Sequence, residues 1–147
     1  MALLVNKKAR SEYAIRDTFL AGMVLSGAEV KSLRNKSGSL TGSYVKILGG
    51  EAFLLNAQIT PYAFADNRDF DPKRTRKLLL RKKEINRLEE ALSQKGLTLV
   101  PLSVQLHHNL IKLEVGIGQG LKKYEKREKL KKRSQERDIQ RMMKNKG

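Results

Sequence analysis

The chain has 147 residues, which is enough for one domain with a sizeable core and a short extension. Its 31 Lys and Arg against 15 Asp and Glu give a net charge of +16, which indicates a polyanionic partner, most simply RNA or DNA, with an acidic membrane surface as the weaker alternative. Because the chain contains no Cys, disulfides and thiolate metal sites are excluded.

The N-terminal stretch does not have the pattern of a targeting segment. Its apolar residues, 2–5, are too few for a secretory signal, and Lys7 and Lys8 follow them instead of preceding them. The chain has no run of eighteen apolar residues. We therefore expect a soluble, cytoplasmic protein without a membrane partner.

The first elements predict the start of a small β-barrel. Residues 3–5 form a candidate short strand, and the basic stretch 6–10 leads into a helical turn near 11–13, with a solvated arm as the alternative. Residues 13–25 then indicate one long strand with a sharp bend at Gly22, where no side chain obstructs it. Small barrels close through long, bent strands of this kind.

The stretch 27–34 carries the first candidate site. A short helical turn here would hold Val30 and Leu33 inward and project the charged side chains outward together. The side chains offered to a phosphate, a ribose or a base amino group are Glu29, Lys31, Ser32 and Arg34. The alternative is a capped turn with a solvated ion pair, which is common and weak.

A loop and a hairpin follow. Residues 35–42 are rich in Ser and Gly, which is typical of a loop. The paired glycines Gly49 and Gly50 separate the apolar runs 44–48 and 52–55, and this spacing predicts a tight β-hairpin. Residues 58–62 end the second strand.

The next segment is intensely basic. A polar loop over 66–72 precedes seven cations within residues 73–83, which are Lys73, Arg74, Arg76, Lys77, Arg81, Lys82 and Lys83. Leu78-Leu79-Leu80 interrupts the run and would anchor it to the core, so that the flanking cations point in fixed directions. We therefore predict phosphate contact here, with a merely solvated face as the alternative.

The second half predicts one helix and two strands. Residues 83–94 have apolar side chains at helical spacing, which indicates a helix that packs across the barrel. Residues 97–106 indicate a strand, and Pro101 requires an edge position or a bulge in it, because proline cannot donate a hydrogen bond to a neighbouring strand. After a turn at 107–109, residues 111–117 alternate strictly, as a half-buried strand does.

The composition divides the chain into a barrel domain, 1–120, and a basic tail, 121–147. The tail holds half of the net charge and too few apolar residues for a buried face, so we expect it to be disordered when free and conditionally helical on RNA. Tyr124, which stands among cations, could stack on an unpaired base or could pack on the barrel rim.

No pattern in the sequence indicates catalysis. His107 and His108 fall in a predicted turn without metal-ligand spacing, and no phosphate-binding glycine loop is present. The carboxylates Glu29, Glu51 and Asp66 are scattered along the chain, although folding could gather them around a metal ion. We therefore predict a protein that is not an enzyme and has no cofactor and no metal.

Several stretches together resemble the SsrA-binding protein family, also called small protein B, the RNA chaperones of bacterial trans-translation. The resemblance covers about 6–127, and the stretches that carry it are Asn6-Lys7-Lys8-Ala9, Ala21-Gly22, 27–34, Ile59-x-Pro61-Tyr62, 71–80, 96–102 and 122–127. Each stretch is weak alone, but chance agreement of seven in the right order is remote.

The resemblance implies an OB-type antiparallel β-barrel with about three flanking helices and a basic C-terminal tail. It also implies binding to the tRNA-like domain of transfer-messenger RNA and delivery of that RNA, with elongation factor Tu bound to it, to stalled ribosomes. The barrel would mimic the anticodon arm, and the tail would reach the decoding centre and the empty message channel. A free monomer is expected.

The resemblance also assigns residues to the two RNA surfaces. The transfer-messenger RNA would contact Asn6, Lys7, Lys8, Glu29, Lys31, Ser32, Arg34, Arg74, Arg76 and Lys77. The decoding centre of the small ribosomal subunit RNA would contact Lys122, Tyr124, Lys126, Arg127, Lys131, Lys132 and Arg133. Leu121 departs from the family pattern, which usually has Lys there, and this puts one ribosomal phosphate contact in doubt.

Two other functions are compatible with the sequence. A basic ribosomal or ribosome-assembly protein would bind RNA without preference for a tRNA-like fold. An RNA-processing enzyme would use the carboxylates, Glu29 among them, to hold metal ions.

Overall fold

A computed structural model describes residues 1–63 and 70–121. These residues form nine strands and three helices, which in chain order are β1 Ala2–Val5, α1 Ala9–Glu12, β2 Tyr13–Met23, α2 Gly27–Arg34, β3 Gly38–Ser39, β4 Tyr44–Leu48, β5 Glu51–Leu55, β6 Gln58–Ile59, β7 Arg76–Leu79, α3 Lys82–Leu92, β8 Leu97–His107 and β9 Leu110–Gly120.

Seven strands build one antiparallel sheet in the order β1-β8-β9-β2-β7-β5-β4, and β3 pairs with β6 in a second, two-stranded sheet. The large sheet curls until β4 lies against β8 and β1 against β3. The predicted β-barrel with three helices is thereby confirmed. The predicted tail lies outside the described residues, apart from Leu121.

The longest hairpin, β8–β9, follows directly from the sequence pattern. Along β9 the inward residues Leu113 and Val115 are completely buried, as the alternation predicts. The turn residues His108 and Asn109 both have positive φ, +48° and +66°, which matches the twist of a two-residue hairpin. Pro101 precedes a register shift in β8, so the predicted bulge is confirmed.

The other predicted elements also form. Gly49 and Gly50 make the β4–β5 turn with φ of +58° and +75°. Helix α3 buries Ile85, Leu88 and Ala91, which share one face at helical spacing and cover the core.

Two details of the predicted course were wrong. The predicted loop 35–42 contains β3, and residues 58–59, which were expected to end the second strand, form the separate strand β6. The register irregularity of β2 lies at Arg16, between Ile15 and Asp17. The predicted bend position, Gly22, allows a close approach of β7, since a Cβ atom there would lie 3.3 Å from the Cβ of Leu79.

The basic run also folds differently from the prediction. Its middle part, 76–79, becomes β7, in which Arg76 and Leu78 point inward while Lys77 and Leu79 point outward. Leu79 is 54% exposed, so only part of the leucine triplet anchors the run. The positive charge of Arg76 hid the strand from sequence reasoning, because a buried Arg breaks the expected alternation of apolar and polar residues.

Candidate nucleic-acid interface

Helix α2 turns its acidic residue into the protein. Glu29 is 1% exposed and Ser32 is 2% exposed, so the prediction that Glu29 projects outward was wrong. The cause is local: Glu29 is the third residue of α2, and its Oε1 accepts from the backbone N–H of Ser26 at 2.9 Å while Ser26 Oγ accepts from the N–H of Glu29 at 3.2 Å. This capping box folds the carboxylate back towards the barrel.

Two arginines complete the environment of Glu29. Arg76 donates from Nε to Oε2 of Glu29 at 2.6 Å, and Arg74 donates from Nη2 to Oε1. Arg76 is fully buried, and its remaining donors reach the carbonyl oxygens of Ala57 and Arg74 at 2.8 Å and of Pro72 at 3.1 Å. The carboxylate therefore joins α2 to β7 and to the segment before it.

Opposing effects act on the pKa of Glu29. Burial raises it, whereas the hydrogen bonds from the backbone of Ser26 and from Arg74 and Arg76, together with the charge of Arg76, lower it. The balance leaves the pKa of Glu29 below its usual value. The group is consequently ionised at neutral pH, as the ion pairs require.

This network changes the predicted RNA surface. Glu29, Ser32 and Arg76 have no exposed side-chain surface of useful size and cannot contact RNA in this conformation, contrary to their predicted role. Glu29 and Arg76 instead hold Arg74, whose side chain is 43% exposed and lies at the edge of the network. Sequence spacing could not reveal that Glu29 and Arg76 are buried, because a buried ion pair and a solvated one consist of the same residue types.

Other predicted cations do face solvent. Lys31 and Arg34 project from α2, and the Nζ of Lys31 lies 5.5 Å from the centre of the Tyr62 ring. Lys77 is about half exposed, and its Nζ lies 3.2 Å from Oε1 of Glu51, which is equally exposed. Exposed pairs of this kind are weak, so the ammonium of Lys77 can exchange the carboxylate for a phosphate at little cost.

Sequence reasoning missed one member of this face. Register pairs Lys46 of β4 with Phe53 of β5 and Phe53 with Lys77 of β7, so the three side chains form one row across the outer face of the sheet. An aromatic ring between two cations suits stacking of a base beside two phosphates. The alternation within 44–48 was the available signal, since it places Lys46 on the side opposite to the buried Val45.

A second missed group lies farther along the same outer face. A cleft of about 460 Å³ is bounded by Gly22, Leu79 and three charged residues, Arg81, Glu84 and Lys112. Lys112 pairs with Gly22 in the sheet, and Gly22 pairs with Leu79, so these three residues form a separate row across β9, β2 and β7. Only the barrel topology brings Lys112 beside the basic run, and no sequence pattern indicates it.

The predicted group Asn6, Lys7 and Lys8 lies at the opposite end of β2 from Lys77. The amide of Asn6 donates to the carbonyl of Pro101 at 2.8 Å, which fixes the chain at the β8 bulge, while Lys7 and Lys8 are exposed. Strand β2 has eleven residues and therefore spans roughly 33 Å along its length. The structure thus places these residues and Lys77 in two separate basic regions.

Several predictions concern residues that lie outside the described ranges. They are Lys122, Tyr124, Lys126, Arg127, Lys131, Lys132, Arg133 and Asp66. Within residues 1–63 and 70–121, no group of three His, Asp or Glu side chains could hold a metal ion. No helix among these residues has the length and apolar character needed to cross a membrane.

An antiparallel barrel that presents cations beside aromatic rings is typical of RNA-binding barrel proteins. The family described as "SmpB protein" matches residues 3–145. The chain therefore belongs to the SmpB family, in agreement with the resemblance of its motifs.

Relatives from several bacteria support this assignment. The SsrA-binding protein of Pseudomonas entomophila is 50% identical over 97% of this chain and 89% of its own length. Those of Enterococcus hirae and Leuconostoc mesenteroides are 49% and 48% identical over 95% and 97% of this chain, and over 91% and 93% of their own lengths. A solved structure described as "tmRNA-SmpB: a journey to the center of the bacterial ribosome" superposes with a TM-score of 0.68 at 40% identity, over 84% of this chain and 91% of that one.

Proposed function

We propose that this chain binds the tRNA-like domain of transfer-messenger RNA and delivers that RNA to stalled ribosomes in trans-translation. The observation that carries the proposal is the exposed set of cations around β7. Among them, Arg74 and Lys77 flank Arg76, which the buried ion pair with Glu29 holds in place. A folded RNA has its phosphates at fixed positions, so donors held in fixed positions bind it without a large loss of side-chain entropy.

The barrel and the tail have different tasks in this proposal. The barrel, 1–120, takes the place of the anticodon arm and contacts the tRNA-like domain through Lys31, Arg34, Arg74 and Lys77, to which we add Lys46. The tail, 121–147, reaches the decoding centre and the empty message channel through its cations and Tyr124. Support comes from charge, since the tail holds half of the net charge of +16.

The remaining features of the proposal concern chemistry and assembly. The protein works in the cytoplasm as a monomer when free, uses no cofactor or metal, and meets elongation factor Tu only through the RNA. It is not an enzyme. The enzyme hypothesis depended in part on Glu29 as a metal ligand, but both oxygens of this carboxylate already accept hydrogen bonds from arginines, which a cation would have to displace.

The salt dependence of RNA binding tests the proposed surface. Replacing Lys77 by Ala should reduce the slope of log K against log salt concentration by about 0.7 to 0.9, because one phosphate contact and its released counterions are lost. The measurement is a titration of transfer-messenger RNA at several salt concentrations. Lys95→Ala, which removes an equal charge at an exposed position after α3, is the control and should leave the slope unchanged. An unchanged slope for Lys77→Ala would show that this side chain touches no phosphate.

A further inference from the structure

A second cleft lies beside the basic region of Lys7 and Lys8, and one of its lining residues, Tyr44, precedes Lys46 by two residues on β4. It has a volume of about 400 Å³ and opens between α1, the turn that precedes β4, and β8. The lining residues that bear on its chemistry are Lys8, Glu12, Tyr13, Ser43, Tyr44 and Thr98. The space is sufficient for one nucleotide.

The lining favours an aromatic ligand over a simple anion. Lys8 and Glu12 are its only charged members, so the charges cancel and a phosphate alone gains little from them. Tyr13 and Tyr44 both line the cleft. Tyr13 is half-buried, whereas Tyr44 is 45% exposed because it alternates along β4 with the buried Val45. Exposed rings beside a concave, partly polar surface are the usual platforms on which unpaired bases stack.

The walls of the cleft are fixed before any ligand arrives. Ser43 donates from its hydroxyl group and from its backbone to the carbonyl of Leu40, at 2.6 and 3.0 Å, and these bonds hold the turn that carries Tyr44. On the other side, Asn6 is bound to the β8 bulge through Pro101. A preformed site loses little conformational entropy on binding.

The position of the cleft connects it with the basic tail. The N–H of Leu121 donates to the carbonyl of Glu12 at 2.9 Å, and Gly120 pairs with Tyr13. Leu121, the first residue of the basic tail, therefore lies at the edge of the cleft.

We infer that this cleft is a subsite for a single unpaired RNA nucleotide, whose base stacks on Tyr44 and whose phosphate lies towards Lys8. The inference rests on the proposed function, since it requires an RNA partner, but it adds a contact for which neither the motifs nor the exposed charges give a signal. Both the transfer-messenger RNA and the small-subunit ribosomal RNA contain unpaired nucleotides, so the chemistry is the same and the experiment identifies the source.

Photocrosslinking tests the inference directly. Full-length protein with Tyr44→p-benzoylphenylalanine is irradiated with transfer-messenger RNA alone and, separately, with that RNA on stalled ribosomes, and the crosslinked nucleotide is mapped by sequencing. We expect one discrete unpaired nucleotide in one of the two RNAs. Crosslinks to duplex RNA only, to the protein's own tail only, or to no RNA would overturn the inference.

Two substitutions separate stacking from a structural role. Tyr44→Phe keeps the ring and should bind the crosslinked RNA as the parent protein does, whereas Tyr44→Ala should bind it about 5- to 150-fold more weakly. Equal binding by Tyr44→Ala would overturn the inference. The affinity of the unmodified protein for transfer-messenger RNA is measured in the same series. If the unmodified protein did not bind this RNA, the result would count against the proposed function and not against the cleft alone.

Discussion

Replacing Glu29 by Ala should lower the free energy of unfolding by about 3 to 5 kcal/mol. The substitution leaves the fully buried guanidinium of Arg76 without its counter-charge, and an unpaired buried charge costs far more than a lost surface ion pair. It also removes the side-chain half of the capping box, so the backbone N–H of Ser26 loses its acceptor.

Denaturant titration of the full-length chain measures this effect. Glu29→Gln keeps an acceptor oxygen but loses the charge, and it should fall between the parent and Glu29→Ala. Lys77→Ala is the control, because it breaks only the exposed pair with Glu51 and should change the free energy of unfolding by less than about 1 kcal/mol. If Glu29→Ala were as stable as this control, the buried network would not brace the barrel.

The same carboxylate predicts a dependence of stability on pH. Its pKa is lower in the folded chain than in the unfolded chain, so its contribution is complete above the unfolded pKa and is lost as the pH falls through the folded pKa. The stability gap between the parent and Glu29→Gln should therefore narrow on acidification through the carboxyl range. A gap that stays constant there would contradict the lowered pKa.

Removing residues 130–147 should abolish peptide tagging on stalled ribosomes while transfer-messenger RNA binding persists. The physical reason is that the residues removed are separate from the cations proposed to bind this RNA. The deletion leaves untouched the exposed cations around β7, which lie at the opposite end of β2 from Leu121, the first residue of the tail. The residues removed are those that would enter the message channel.

Two assays on the same preparation test this division. Affinity for transfer-messenger RNA should stay close to that of the full chain apart from a weaker general attraction, which high salt suppresses. Tagging of a truncated message in a reconstituted translation system should fail. A specific loss of RNA affinity that persists at high salt would refute the division between barrel and tail.

Sequence reasoning predicted the barrel because its signals are local. The alternation over 111–117, the paired glycines Gly49 and Gly50 and the helical spacing before Gly96 each depend on residues close in the chain, and the structure confirms all three elements. Strand β7 was hidden because its inward residue, Arg76, is charged. The burial of Arg76 is possible only because the carboxylate of Glu29, which belongs to α2, pairs with its guanidinium.

The candidate site was predicted less completely than the fold, for a related reason. Spacing indicates which residue types share a helix face, but it cannot distinguish a face that meets solvent from one that meets a buried arginine. Glu29 was therefore assigned to the wrong side of α2. Lys112 was missed because strands distant in sequence bring it beside Leu79. Lys46 was missed although its alternation with the buried Val45 in the β4–β5 hairpin indicates that it points outward.

Competition binding is the most direct measurement of the central claim, which is that the barrel recognises a folded tRNA-like RNA. Labelled tRNA-like domain is bound to the full-length chain and displaced by unlabelled copies or by generic duplex RNA of equal length and charge. The account predicts that the duplex competes much more weakly at physiological salt. Equal competition by the two RNAs would contradict it and would support a basic protein that binds RNA without regard to its fold.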